Sequence, residues 1–81
     1  MRTETARLAF TMGTMVIAVE THDTDGWVVT ARMEATDGYN VLVETTWRAQ
    51  RAQAFARAEI LEIQWRARRV RDAALAFDRV S

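Results

Sequence analysis

Few residues in this chain can do chemistry. The one histidine, His22, sits among Glu20, Asp23 and Asp25, and Asp23-Thr24-Asp25-Gly26 has the oxygen-rich opening of a calcium loop. The other ligands and the closing glutamate of such a loop are missing, so the segment reads as a solvated turn whose Asp side chains cap backbone amides. There is no cysteine and the only serine is Ser81. That removes disulfides, thiolate metal sites and the usual Ser and Cys nucleophiles. Threonine is plentiful, but on strands it is an ordinary β-former. A lone imidazole with no partner set is a poor start for general-base catalysis. A non-enzyme with no catalytic residue, cofactor or metal is therefore expected.

Arginine is the other chemically active type. All eleven basic residues are Arg, and Arg66, Arg68, Arg69 and Arg71 cluster near the C-terminus. Guanidinium groups suit planar, bidentate contacts to carboxylates or phosphates. At about 100° per residue these four point around most of a helix circumference. That suits a solvated surface or an acidic protein partner better than a stripe laid along nucleic acid. Charge is divided along the chain. Residues 1–46 carry three basic against seven acidic groups, a net −4, and residues 47–81 carry eight against four, a net +4. An acidic sheet and a basic helix could meet within or between molecules.

The elements that position these residues follow from periodicity. Turn signals fall at 23–26 and at Asp37-Gly38. Trp27, Val29, Ala31, Met33 and Ala35 alternate with Val28, Thr30, Arg32 and Glu34, as the two faces of a half-buried strand do. A three-residue loop of Thr36, Asp37 and Gly38 pairs Ala35 with Tyr39, Met33 with Val41 and Ala31 with Val43, with Gly38 at the left-handed position of a G1 bulge. Met15, Ile17 and Val19 form the core side of the preceding strand, with Val19 opposite Val29. Leu8, Phe10 and Met12 are out of phase with them, so Gly13 is either a bulge in one long strand or the end of a short helix over 3–12.

From Trp47 the period becomes helical and no Gly or Pro interrupts it. Thr45 or Thr46 is the expected cap. The helix would be about 50 Å long against about 26 Å for an eight-residue strand, so it must overhang its sheet. It carries two apolar stripes where a surface helix needs one. Trp47, Ala54, Ala58, Leu61 and Trp65 form the shorter, which matches the sheet. Ala49, Ala52, Ala56, Ile60, Ile63, Ala67, Val70, Ala74 and Phe77 form the longer, alternating in fours and threes from Ala56 as a heptad seam does. A second stripe implies a second molecule. A homodimer through Ala56, Ile60, Ile63, Ala67, Val70, Ala74 and Phe77 is expected. It would help a short, unstapled chain with a thin core.

The expected architecture is one α+β domain over 1–81. It has a three-stranded antiparallel meander (1–46) and one long C-terminal helix (47–80) packed on it. No run of apolar residues is long enough for a transmembrane helix. Leu8 to Val19 imitates a signal-peptide core, but Glu4 lies in the would-be basic region and no small-residue cleavage site follows, so a cytoplasmic protein is expected. The layout, a meander and a long helix in a compact chain with an acidic and a basic half, resembles that of small phage and mobile-element proteins such as anti-CRISPR inhibitors. That resemblance implies a protein-binding inhibitor or adaptor acting on a larger complex. The alternatives are nucleic-acid binding through the Arg-rich helix and a structural assembly subunit. A double-stranded RNA-binding layout would need 3–12 to be helical, and its Lys-rich helix starts are missing here.

Overall fold

The computed structural model describes residues 1–22 and 26–80, with side chains described as far as Arg71. Four strands, not three, precede the helix: β1 (Arg2–Phe10), β2 (Gly13–His22), β3 (Gly26–Ala35) and β4 (Asn40–Arg48), followed by α1 (Arg51–Val80). The strands form one antiparallel sheet in the order β1-β2-β3-β4. Helix and sheet make a two-layer α+β fold.

The extra strand resolves the phase problem at Gly13. Residues 2–10 are neither helical nor one strand with 14–19. They turn back at Thr11-Met12, and Phe10 pairs with Gly13. A two-residue turn exchanges which parity faces the core, so Leu8 lies opposite Met15 and Ala6 opposite Ile17. A bulge does exist, but between Glu4 and Ala6 rather than at Gly13. Gly13 is needed for a different reason. A Cβ there would strike the Glu34 carbonyl oxygen and come within 2.7 Å of the Ala35 Cα, where β2 crosses the end of β3.

The second connection extends pairing to His22 and Gly26, with Val19 opposite Val29 as its parity requires. The third is the three-residue loop. Ala35 N donates to Tyr39 O at 2.8 Å, Gly38 N to Ala35 O at 3.0 Å, and Gly38 has φ 96°. Asp37 Oδ1 accepts from Tyr39 N at 3.1 Å. Met33 lies opposite Val41, but Ala31 faces Glu44 and not Val43, because a bulge falls between these pairs. The bulge swings Glu44 to the helix side, where Arg57 approaches it at 3.9 Å.

The helix starts later than periodicity suggests. Trp47 is a strand residue, paired with Val28 on the face away from α1. The chain bends at Ala49 and Gln50, and the Gln50 carbonyl accepts the bond from Ala54 N at 3.1 Å. Thr45 and Thr46 therefore lie in β4 and do not cap α1. Of the two stripes, Ala54, Ala58 and Leu61 are buried against Leu8, Met15, Ile17, Val19, Val29 and Ala31. Ring contacts pin the two ends: Phe55 to Trp27, centroids 6.4 Å apart, and Trp65 edge-on to Phe10 at 6.1 Å. Beyond Trp65 the helix leaves the sheet. That overhang gives the molecule its 52 × 25 × 14 Å outline.

Val16 and Ala18 are fully buried on the opposite face, where no helix lies. A chain of ion pairs covers them. Arg2 bridges Glu4 and Glu20 at 3.1 Å each, and Arg7 bridges Glu4 at 2.8 Å and Glu34 at 3.4 Å. The aliphatic stems of these side chains roof the apolar pair while their heads stay in water.

This packing has two measurable consequences. Leu61→Ala opens a cavity between helix and sheet and should cost about 2–5 kcal/mol in urea unfolding. Glu4 is held below its ordinary value of 4.5, chiefly by the hydrogen bond from Arg7. A carboxylate with a lowered folded pKa stabilises above its unfolded value, and that stability is lost as pH falls through the folded one. The urea midpoint should therefore drop below about pH 4.5, and Glu4→Gln should flatten this acid limb while lowering the midpoint at neutral pH.

Candidate interaction surface

A sheet four strands wide cannot be covered by one helix, and the strand left out decides where the open surface lies. The core contains residues of β1, β2, β3 and α1 but none of β4. On and beside β4, Tyr39 is 73% exposed, Val41 53%, Leu42 48%, Val43 41% and Trp47 55%. Leu42 and Trp47 lie on the outer face, opposite Arg32 and Val28, and Val41 lies on the helix side opposite Met33. The other edge is different. On β1, Arg2, Glu4 and Arg7 are tied into the ion-pair chain, which with the bulge at Thr5 blunts that edge.

The helix adds to the open surface. The longer stripe faces away from the sheet: Ile60 is 46% exposed, Ile63 61% and Val70 68%, and Ala56 and Ala67 are exposed beside them. The expected seam residues Ala74 and Phe77 lie outside the described side chains. At roughly 200 Å² for a fully exposed large residue, the five open side chains of the β4 margin present on the order of 500 Å² and the three of the helix face on the order of 350 Å², on different faces of the fold. Each is about the size of the largest apolar patch on a typical monomer, roughly 300–600 Å², and a stable interface takes about 800 Å² from each partner with its polar rim included.

The arginine cluster is partly engaged at home. Arg66 donates to Glu62 at 3.0 Å, one turn back. Arg68 stacks on the Trp65 ring at 4.3 Å. Arg69 is half-buried and Arg71 exposed. At the other end of the helix, Arg51 lies 4.7 Å from the Phe55 ring. The four clustered side chains radiate around the helix and make no single basic stripe. His22 is an exposed residue closing the β2–β3 pairing, and 23–25 fall outside the described residues. Among the described residues no group of three His, Asp or Glu side chains could hold a metal, and no helix is long and apolar enough to cross a membrane.

Comparison with family models, curated proteins and solved structures found no match, so the surface is read from its own geometry. Periodicity marked the helix stripe that the fold leaves exposed. It missed Trp47, Tyr39 and Val43 as open residues, because Trp47 fits a helical stripe and a β-strand equally well. Trp47 lies across Gly26, where an added Cβ would meet its indole, yet it is more exposed than buried. Trp47→Ala should therefore change urea stability by under about 1 kcal/mol, far less than truncation at Leu61.

Proposed function

We propose that this chain is a non-enzymatic protein-binding module that works as a homodimer and acts as an inhibitor or adaptor on a larger protein complex, in a cytoplasmic setting. The carrying observation is the apolar surface left open on one helix face and one sheet margin of so small a fold. The helix seam is assigned to the second copy. The β4 margin, with Leu42 and Trp47 at its centre, and the exposed arginines of the overhang are assigned to the partner. A tryptophan and a leucine ringed by polar residues have the composition of an interface centre. The guanidinium heads around the overhang suit an acidic protein surface.

Nucleic-acid binding is the second reading, on the strength of the four arginines. The engagement of Arg66 with Glu62 and of Arg68 with Trp65 counts against it, because a phosphate-binding stripe needs its cations aligned on one side.

Solution mass separates these readings. Light scattering after size exclusion should give twice the 9.3 kDa chain, and Ile63→Asp with Val70→Asp should give a monomer of unchanged helix content. An unchanged mass in that variant refutes the seam. Labelled duplex and single-stranded DNA should show no binding near physiological salt; tight, steeply salt-dependent binding lost in Arg68→Glu with Arg71→Glu would favour the second reading. Leu42→Asp with Trp47→Ala should keep the dimer mass and lose retention of a partner that the unaltered chain captures.

A further inference from the structure

The outer face of the sheet is a grid of cross-strand rows, and one row runs from a guarded edge to an open one. Arg7 on β1, Val16 on β2, Arg32 on β3 and Leu42 on β4 lie side by side across the whole sheet. On the β1 side the charges are paired: Arg2 and Arg7 share Glu4 and reach Glu20 and Glu34. Arg32 has no part in this. Among the described residues the half-buried Arg32 enters no ion pair and no side-chain hydrogen bond. Its five donors stay open to solvent, beside the exposed Leu42.

The fold already shows how such a group finds an acid. Arg7 on β1 reaches Glu34 on β3 at 3.4 Å, across the intervening β2. A guanidinium and a carboxylate two strands apart on one face are thus within reach of each other. On the other side of Arg32, β4 is the edge, and no strand of this chain lies two places away.

The edge of β4 can take such a strand. Ala35 N donates to Tyr39 O at 2.8 Å. The alternation of an antiparallel pair then turns Tyr39 and Val41 toward β3, and the N–H and C=O groups of Asn40 and Leu42 outward. Beyond Leu42 the bulge breaks the regular row, and at the far end Arg48 donates to the Trp47 carbonyl at 2.8 Å. The usable edge is therefore the short arm over 40–42. It carries no charge, no proline and no bulge of its own, unlike the edge of β1.

Charge separates the occupants. The one acid of β4, Glu44, lies on the helix side, where Arg57 approaches it. The one acid of β1, Glu4, is held by Arg2 and Arg7. A second copy therefore offers Arg32 no free carboxylate from either edge strand, and a different protein must supply it. Resting on the reading that the β4 margin receives the partner, we propose that the partner adds an extended segment along the 40–42 edge and sets a carboxylate side chain on Arg32, level with Asn40 or Leu42. Backbone hydrogen bonds supply the attachment and the single charge supplies the choice. Leu42 is then covered by paired side-chain stems, as Val16 is on the other half of the sheet.

The probes are two capped synthetic nonapeptides of alternating valine and threonine that differ only at the central residue, glutamate or glutamine. Each is titrated into the isotope-labelled full-length chain and followed by amide shifts and hydrogen exchange. The glutamate peptide should bind at least about fivefold tighter, and both should slow exchange at the Asn40 and Leu42 amides. Arg32→Gln should remove the preference and Arg32→Lys should keep part of it, with solution mass and urea midpoint unchanged in both. Equal binding of the two peptides, or a preference that survives Arg32→Gln, overturns the role of Arg32. Shifts confined to α1 or β1 overturn the site. Slow exchange at the Asn40 and Leu42 amides of the free chain means that a second copy already holds the edge, which overturns a partner strand. Binding of neither peptide overturns strand addition, while the partner reading itself stands or falls on retention by the Leu42→Asp with Trp47→Ala variant.

Discussion

The structure is governed by a mismatch of widths. Four strands at about 4.8 Å spacing make a sheet some 19 Å wide, and a helix with its side chains is about 10 Å across. One helix can close the inner face over little more than half the sheet. The apolar residues gather where it lies, on β1 to β3, and α1 is pinned there by Leu61 between the aromatic contacts of Phe55 and Trp65. The open β4 margin stems from this limit, while the overhang stems from a helix longer than the strands it covers. A short chain has too little volume to hide every apolar residue it needs to fold.

The outer face meets the same limit by other means. Val16 and Ala18 lie in the middle of a sheet with no second layer above them, and still reach no water. Arg2, Arg7, Glu4, Glu20 and Glu34 act there as a thin roof, their stems apolar and their ends paired. Exposed ion pairs add little stability one by one. Their greater contribution here is to hold long side chains flat over apolar atoms. The roof ends before β4, where Leu42 and Trp47 stand without it, and the outer face is therefore charged on one side and apolar on the other.

Much of this was legible in the residues. The parity of 27–35, the loop at 36–38 and the buried stripe from Ala54 to Trp65 are local patterns, and the fold keeps all three. The losses came where a tertiary choice overrides a local pattern. Thr11-Met12 carries no Gly, Asn or Asp to announce a hairpin, so a fourth strand hid behind a phase change at Gly13. The bulge at Val43 has no signature beyond its outcome, which is to bring Glu44 under Arg57. Trp47 has both helical and β character, and only the fold decides between them. On the surface, the second stripe marked the helix face that stays exposed. The exposure of Tyr39, Val41, Val43 and Trp47 was not legible, because it depends on where the helix lies, which is set by packing and not by composition.

The strand order has a consequence for how the chain is made. Each strand pairs with the one synthesised just before it, so the sheet can zip up from its N-terminus using contacts that are close in sequence. The lid over its inner face is made only after all four strands. Until residues 54–65 emerge, Leu8, Ile17 and Val29 lack their cover, and the finished sheet is a sticky surface waiting for its helix.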